Sequence, residues 1–214
     1  LTDRPENLSV REGALHLIAR REAPPLKCKN DKRFPDGRSY SSAFISTQNK
    51  KSWQAVRIEV RASLPLPAGR SKGLWPAMWL RPDDLGPGEI DILEGIGTGD
   101  AGKMPTLQQT IHFEKDGNAA KKSFVLPAGS GVDPTQVHTY AVTMYADRVD
   151  WSVDDQVTFS VGNDEVPGIA AFLDRRWFLR VNLAVGGRWP GDPSATTELP
   201  ADMTVLDVRV LAQR

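Results

Sequence analysis

Between two glycines the chain reads Gly88-Glu89-Ile90-Asp91-Ile92-Leu93-Glu94-Gly95, three carboxylates interleaved with three branched aliphatic residues. Side chains alternate faces along a strand, so Glu89 and Asp91 point one way while Ile90 and Ile92 point into whatever the sheet packs on. Strict alternation would then expose Leu93 and turn Glu94 inward. A one-residue bulge at Ile92-Leu93 resets the phase, returning Leu93 to the core and bringing Glu94 into line with the other two acids. Three like charges in a row repel and push at least one pKa upward. Glycosidic bond hydrolysis with retention gives such a row a use. It takes two carboxyls about 5 Å apart, one ionised to attack the anomeric carbon and one protonated to release the leaving oxygen. In-phase positions four residues apart on a regular strand lie about 13 Å apart, so the bulge and the strand twist must shorten the reach. The middle acid, Asp91, can hold a proton or orient the attacking group.

The spacing alone decides little. With 27 acidic residues in 214, it arises by chance about 0.4 times in such a chain. Its surroundings are more specific. The run Leu74-Trp75-Pro76-Ala77-Met78-Trp79-Leu80 precedes it, and on an extended segment Trp75 and Trp79 share a face. Indole rings stack on the apolar C–H faces of pyranoses, while polar groups fix the hydroxyls. Trp189 lies in Gly187-Arg188-Trp189-Pro190, a turn too rich in glycine to bury it, whereas Trp151 and Trp177 fall in apolar strand patterns and are expected in the core. Asn182 alternates with Val181 and Leu183, which places its amide on the polar face, where it could bind hydroxyls. His16 is expected on a strand surface and His138 at a strand start. Three scattered histidines with no paired spacing do not make a zinc site.

The elements that must position these residues have period two almost throughout. Leu15, Leu17 and Ala19 alternate with His16, Ile18 and Arg20, and Val56, Ile58, Val60, Ala62 and Leu64 alternate with polar neighbours. Further strands are expected over 41–47, 110–113, 139–145, 149–153, 157–161, 177–185 and 204–211, with Asp154-Asp155 as a hairpin turn. Only 169–175 reads as a short helix. No repeat or linker divides the chain, so one all-β domain over 1–214 is expected, built as two stacked antiparallel sheets.

Twenty-seven basic residues balance twenty-seven acidic ones. A net charge of zero argues against nucleic acid or an anionic membrane as partner and suits a neutral polymer. No apolar run approaches the roughly 18 residues of a membrane span, and no signal peptide stands at Leu1. Cys28 is the sole cysteine, so it forms no internal disulfide.

The bulged triplet and the Trp run, together with Pro5-Glu6-Asn7-Leu8-Ser9-Val10, Tyr40-Ser41-Ser42, His138-Thr139-Tyr140 and Asn182-Leu183-Ala184-Val185-Gly186-Gly187-Arg188-Trp189-Pro190-Gly191, resemble glycoside hydrolase family 16 in its laminarinase-like branch. These stretches occur in the family's order and cover nearly the whole chain. The resemblance implies a β-jelly-roll sandwich with a concave substrate cleft, and retaining endo-hydrolysis of β-1,3-glucan. In that scheme Glu89 is the nucleophile, Asp91 its hydrogen-bonded partner and Glu94 the general acid and then base. Substrate would be bound by Trp75, Trp79, His112, Asn182, Trp189 and Asn7, with His112 either bonding Asp91 or a sugar hydroxyl or serving structure. No cofactor is required. A structural calcium ion, as in many relatives, would use Asp207 and a first N-terminal strand that the chain, starting at Leu1, does not carry. The protein is expected to be a secreted monomer. Phe44 stands where the branch often has an arginine, removing a donor to the sugar. Two alternatives follow: an agarase- or carrageenase-like galactan hydrolase of the same fold, and a non-catalytic β-glucan-binding domain, which would lack one of the two glutamates. With tryptophans and few fixed charges in the cleft, an uncharged glucan is the expected substrate.

Overall fold

The computed structural model describes residues 1–27, 32 and 34–212, so Cys28 lies outside the described residues. The first seven strands are β1 (Leu8–Arg11), β2 (Ala14–Leu26), β3 (Arg38–Ser41), β4 (Phe44–Ser46), β5 (Val56–Ser63), β6 (Leu74–Pro82) and β7 (Glu89–Ile96). After them come β8 (Thr106–Lys115), β9 (Asn118–Val125), β10 (His138–Met144), β11 (Arg148–Val153), β12 (Gln156–Gly162), a short helix α1 (Ile169–Leu173), β13 (Trp177–Val185) and β14 (Ala201–Ala212). They form the expected pair of antiparallel sheets. One runs β1-β2-β14-β5-β10-β11-β12 with β3 beside β2, and the other β4-β13-β6-β7-β8-β9.

Alternation decides which side chains fill the space between the sheets. Ile58, Val60 and Ala62 of β5 and Tyr140, Val142 and Met144 of β10 are fully buried, as are Met78 and Leu80 of β6, Ile90, Ile92 and Leu93 of β7, and Leu183 of β13. Burying a branched or aromatic side chain contributes about 1.5–3 kcal/mol, so these strands are held by their inner faces and leave the outer faces free for polar residues. Trp151 and Trp177 are in this core, as their sequence context predicts.

Three expectations are corrected. The strand expected over 41–47 is two, β3 and β4, because buried Ser42 and Ala43 carry the chain from one sheet to the other. His16 is buried, its Nδ1 2.9 Å from Asp202 on the neighbouring β14. Strand β9 was not expected, since its sequence Asn-Ala-Ala-Lys-Lys-Ser-Phe-Val has no apolar period. It forms because the edge of β8 offers it a ladder of backbone bonds. The hairpin at Asp154-Asp155 does form, with both residues at positive φ (48° and 64°), as a two-residue turn of this kind requires.

Candidate active site

The bulge in β7 is present where the sequence asks for it. Against β8, Asp91 pairs with Thr110 and Glu94 with Gln108, so Ile92 and Leu93 together face the single residue Gln109. Against β6 the register slips between Met78 and Trp79, at the same level. Both extra aliphatic side chains are fully buried, and Glu89, Asp91 and Glu94 share the opposite face. The glycines at the ends of the run allow this. Gly88 has φ of +126°, and a Cβ on Gly95 would lie 2.4 Å from Leu66 Cδ1, closer than packed carbon atoms can approach. The bulge is also tied from below, because Trp151 of the other sheet donates its indole N–H to the Asp91 backbone carbonyl at 2.8 Å.

The three carboxyls differ in surroundings. Asp91 is almost fully buried, and burial pushes its pKa up against the pull of a 3.1 Å hydrogen bond from His112 Nε2. Glu89 is a quarter exposed, with His112 Nε2 at 3.7 Å and Arg81 Nη1 at 3.6 Å. Its pKa is raised by burial and by the Asp91 charge, while His112 and Arg81 oppose the rise. Glu94 is pushed up to about 7, first by burial and then by the Asp91 charge, although the Trp75 indole N–H donates to its Oε1 at 3.0 Å and favours the ionised form. His112 is raised in turn by its bond to Asp91. Both glutamates are thus raised, Glu94 to about 7, and of the two it is Glu89 that has Arg81 and His112 beside it to favour its ionised form. This is how one site keeps both an acid and an anion.

Glu89, Glu94, His112, Trp75 and Trp189 line one cavity of about 360 Å³, with Gln108 and Lys121. Trp75 and Trp189 meet edge to face at 5.4 Å between ring centres, and Trp189 is exposed, so the two form an aromatic wall. Trp79, half-buried on β6, donates its N–H to Asn182 Oδ1 at 2.8 Å, so part of the Asn182 amide is spent on fixing that ring. A larger cavity of about 760 Å³ is lined by Tyr40, Ser42 and Val185–Gly187 and contains none of the carboxylates. Asn7 is corrected: it is fully buried, its Nδ2 donating to Ile18 O and Ser41 Oγ, and it joins strands rather than meeting a substrate.

The expectation of few fixed charges is also corrected. Arg81, Arg180 and Lys121 stand around the carboxylates. The two arginines were legible, because the alternation that puts Trp79 and Asn182 on the cleft face puts Arg81 and Arg180 there too.

Glu89, Asp91 and His112 each offer a ligand atom within 4.8 Å of the others, the one such group among the described residues. The His112–Asp91 hydrogen bond already accounts for that proximity. Calcium at Asp207 does not fit the described residues. Its carboxylate lies 2.6 Å from Arg209 Nε, in a groove that also holds Arg61 and Glu59, the latter 2.7 Å from Arg57 Nε, so both carboxylates there already face guanidinium groups, which oppose a divalent cation.

The sequence pattern of glycosyl hydrolases family 16 matches residues 3–204. A β-glucanase of Rhodothermus marinus is 32% identical over 219 residues, which cover 96% of this chain and 70% of that protein. Glucan endo-1,3-β-glucosidase A1 of Niallia circulans is 31% identical across 100% of this chain, which spans only 32% of that protein. The laminarinase catalytic domain of Thermotoga maritima MSB8 superposes with a TM-score of 0.78 at 31% identity, covering 100% of this chain and 82% of that one.

Proposed function

The chain belongs to family 16 of the glycosyl hydrolases, and from that premise we propose that it is an endo-acting β-1,3-glucanase of laminarinase type, working by double displacement. The observation that carries the reading is the placement of the two glutamates in one cavity by the bulged strand, Glu94 under the Trp75 indole with its pKa raised to about 7 and Glu89 beside Arg81 and His112. Glu94 gives its proton to the glycosidic oxygen as the bond to the anomeric carbon breaks. The Glu89 carboxylate attacks that carbon and becomes a glycosyl ester. Glu94, now ionised, takes a proton from water; the oxygen of that water displaces Glu89 and regenerates both groups. Asp91 and its hydrogen bond to His112 hold the charge balance beside Glu89. Trp75 and Trp189 supply stacking faces on one side and Trp79 on the other.

The similarity to a β-glucanase and an endo-1,3-β-glucosidase supports glucan as the substrate class. Both glutamates are present, which disfavours the non-catalytic domain. A polymer does not diffuse through a membrane, so the reading includes action outside the cell. The test is incubation with laminarin, following reducing ends and, by proton NMR, the first anomer released. We expect β-anomer first, and a drop in turnover of at least about a thousandfold in Glu89→Gln with the fold retained. Release of α-anomer first, or near-normal turnover by Glu89→Gln, would contradict the mechanism.

A further inference from the structure

Among the described residues, one charged side chain in the cleft has no ion-pair partner. Arg180 leaves β13 on the face that carries Asn182. Its guanidinium carbon stands 4.7 Å from the Trp79 ring centre, 4.9 Å from that of Phe178 and 5.7 Å from that of Phe44. Aromatic faces attract a cation, but they leave its in-plane N–H donors unsatisfied. Nη2 reaches the Gln48 side-chain oxygen only at 3.3 Å, and Nε is buried without a partner. Among the described residues no carboxylate forms an ion pair with it.

Its neighbours add to the imbalance. Burial depresses the Arg180 pKa, Arg81 is close enough to add to the effect, and Glu89 acts in the other direction. Arg81 shares Glu89 at 3.6 Å and otherwise donates to the Gly86 carbonyl at 3.3 Å. The one carboxylate near both guanidinium groups is thus taken by Arg81, and it loses its charge when it becomes an ester. Partial burial of a cation is costly without a counter-ion, and an aliphatic residue would pack among Trp79, Phe178 and Phe44 without that cost. A sugar hydroxyl would satisfy the free donors but not the charge. An oxyanion does both, with the bidentate geometry that guanidinium favours.

We propose that Arg180, with Arg81 beside it, is a specificity determinant that binds an oxyanion substituent, whether carboxylate or sulfate, on the sugar unit lying over Trp79. This rests on the cleft being the glucan-hydrolysing site proposed above, and the preferred substrate is then an acidic β-glucan rather than a bare one.

The test compares laminarin with lightly carboxymethylated and lightly sulfated laminarin of matched length. Initial rates and affinity electrophoresis are read for the wild type, Arg180→Met and Arg180→Lys at low and high salt, with melting temperatures as a check on folding. The wild type should favour one of the anionic polymers by roughly tenfold or more in KM, the two arms telling carboxylate from sulfate, and high salt should erase most of that preference. Arg180→Met should bring the ratio of anionic to neutral KM close to one, and Arg180→Lys should keep part of it. The proposal is overturned if the wild type prefers neither anionic polymer, or if Arg180→Met weakens all three substrates by the same factor, as a hydroxyl donor or a packing residue would. Arg180-dependent, salt-sensitive binding of an anionic polymer with no cleavage of any of them would uphold this inference while sinking the hydrolase reading.

Discussion

At Glu94 a single carboxyl is pulled in opposite directions, and the balance sets a measurable pH limb. Burial and the Asp91 charge raise it, and the Trp75 indole bond lowers it, for a value near 7. Activity on laminarin should therefore fall as pH rises through about 7, where the acid loses its proton. Trp75→Phe removes a donor that favours the ionised form, so the basic limb should move to higher pH. A pH–rate profile of kcat/KM checks both, and a limb that moved down or stayed put would contradict the stated balance. The same shift makes a stability claim. Because the folded value lies above the ordinary 4.5, ionising Glu94 penalises the fold. That penalty is absent below about 4.5, grows between the two values and is complete above about 7. Glu94→Gln should thus be more stable than the wild type at pH 8, by on the order of 1–2 kcal/mol once partial exposure is allowed for, and not at pH 4. Urea unfolding at the two pH values reads the difference. The three acids and their facing were legible in the residues themselves. The raised pKa of Glu94 was not, because it is set first by how deeply the folded strand buries the carboxyl and then by the Asp91 charge, with the Trp75 indole across the strand pair opposing both.

At the level of elements, the bulged strand β7 depends on an anchor from the opposite sheet. Trp151 is fully buried and gives its N–H to the Asp91 carbonyl, at the point where the ladder is interrupted. Trp151→Phe would leave that buried carbonyl unpaired, at a cost of about 1–3 kcal/mol beyond lost packing. It should also lower turnover more than Trp177→Phe, whose indole nitrogen has no partner to lose. Chemical denaturation and laminarin assays on the two variants make the comparison. Strand alternation in β5, β6, β7 and β13 could be read because one face is apolar. The break between β3 and β4, and the existence of β9, could not. The first depends on small residues crossing between sheets, and the second on a neighbour's free edge rather than on its own pattern. Asn7 misled for a related reason: an amide before a strand can serve the backbone as readily as a ligand, and here Ile18 O and Ser41 Oγ claim it.

Across the whole molecule, two sheets share one continuous core, and every strand of the cleft sheet that carries a proposed site residue contributes buried side chains to it. Such an arrangement gives little scope for local opening at the site, because β6, β7, β8 and β13 cannot part from β5 and β10 without exposing that core. The tie from Trp151 to the Asp91 carbonyl makes the point sharper, since it fastens the proposed catalytic centre directly to the far layer. Thermal inactivation should accordingly be a single event. Residual activity and the far-UV dichroism signal, followed along one heating ramp, should fall together with a common midpoint, whereas an activity loss several degrees ahead of the spectroscopic change would mean that the cleft loosens independently. An assay of turnover then doubles as a gauge of how much of the population is folded.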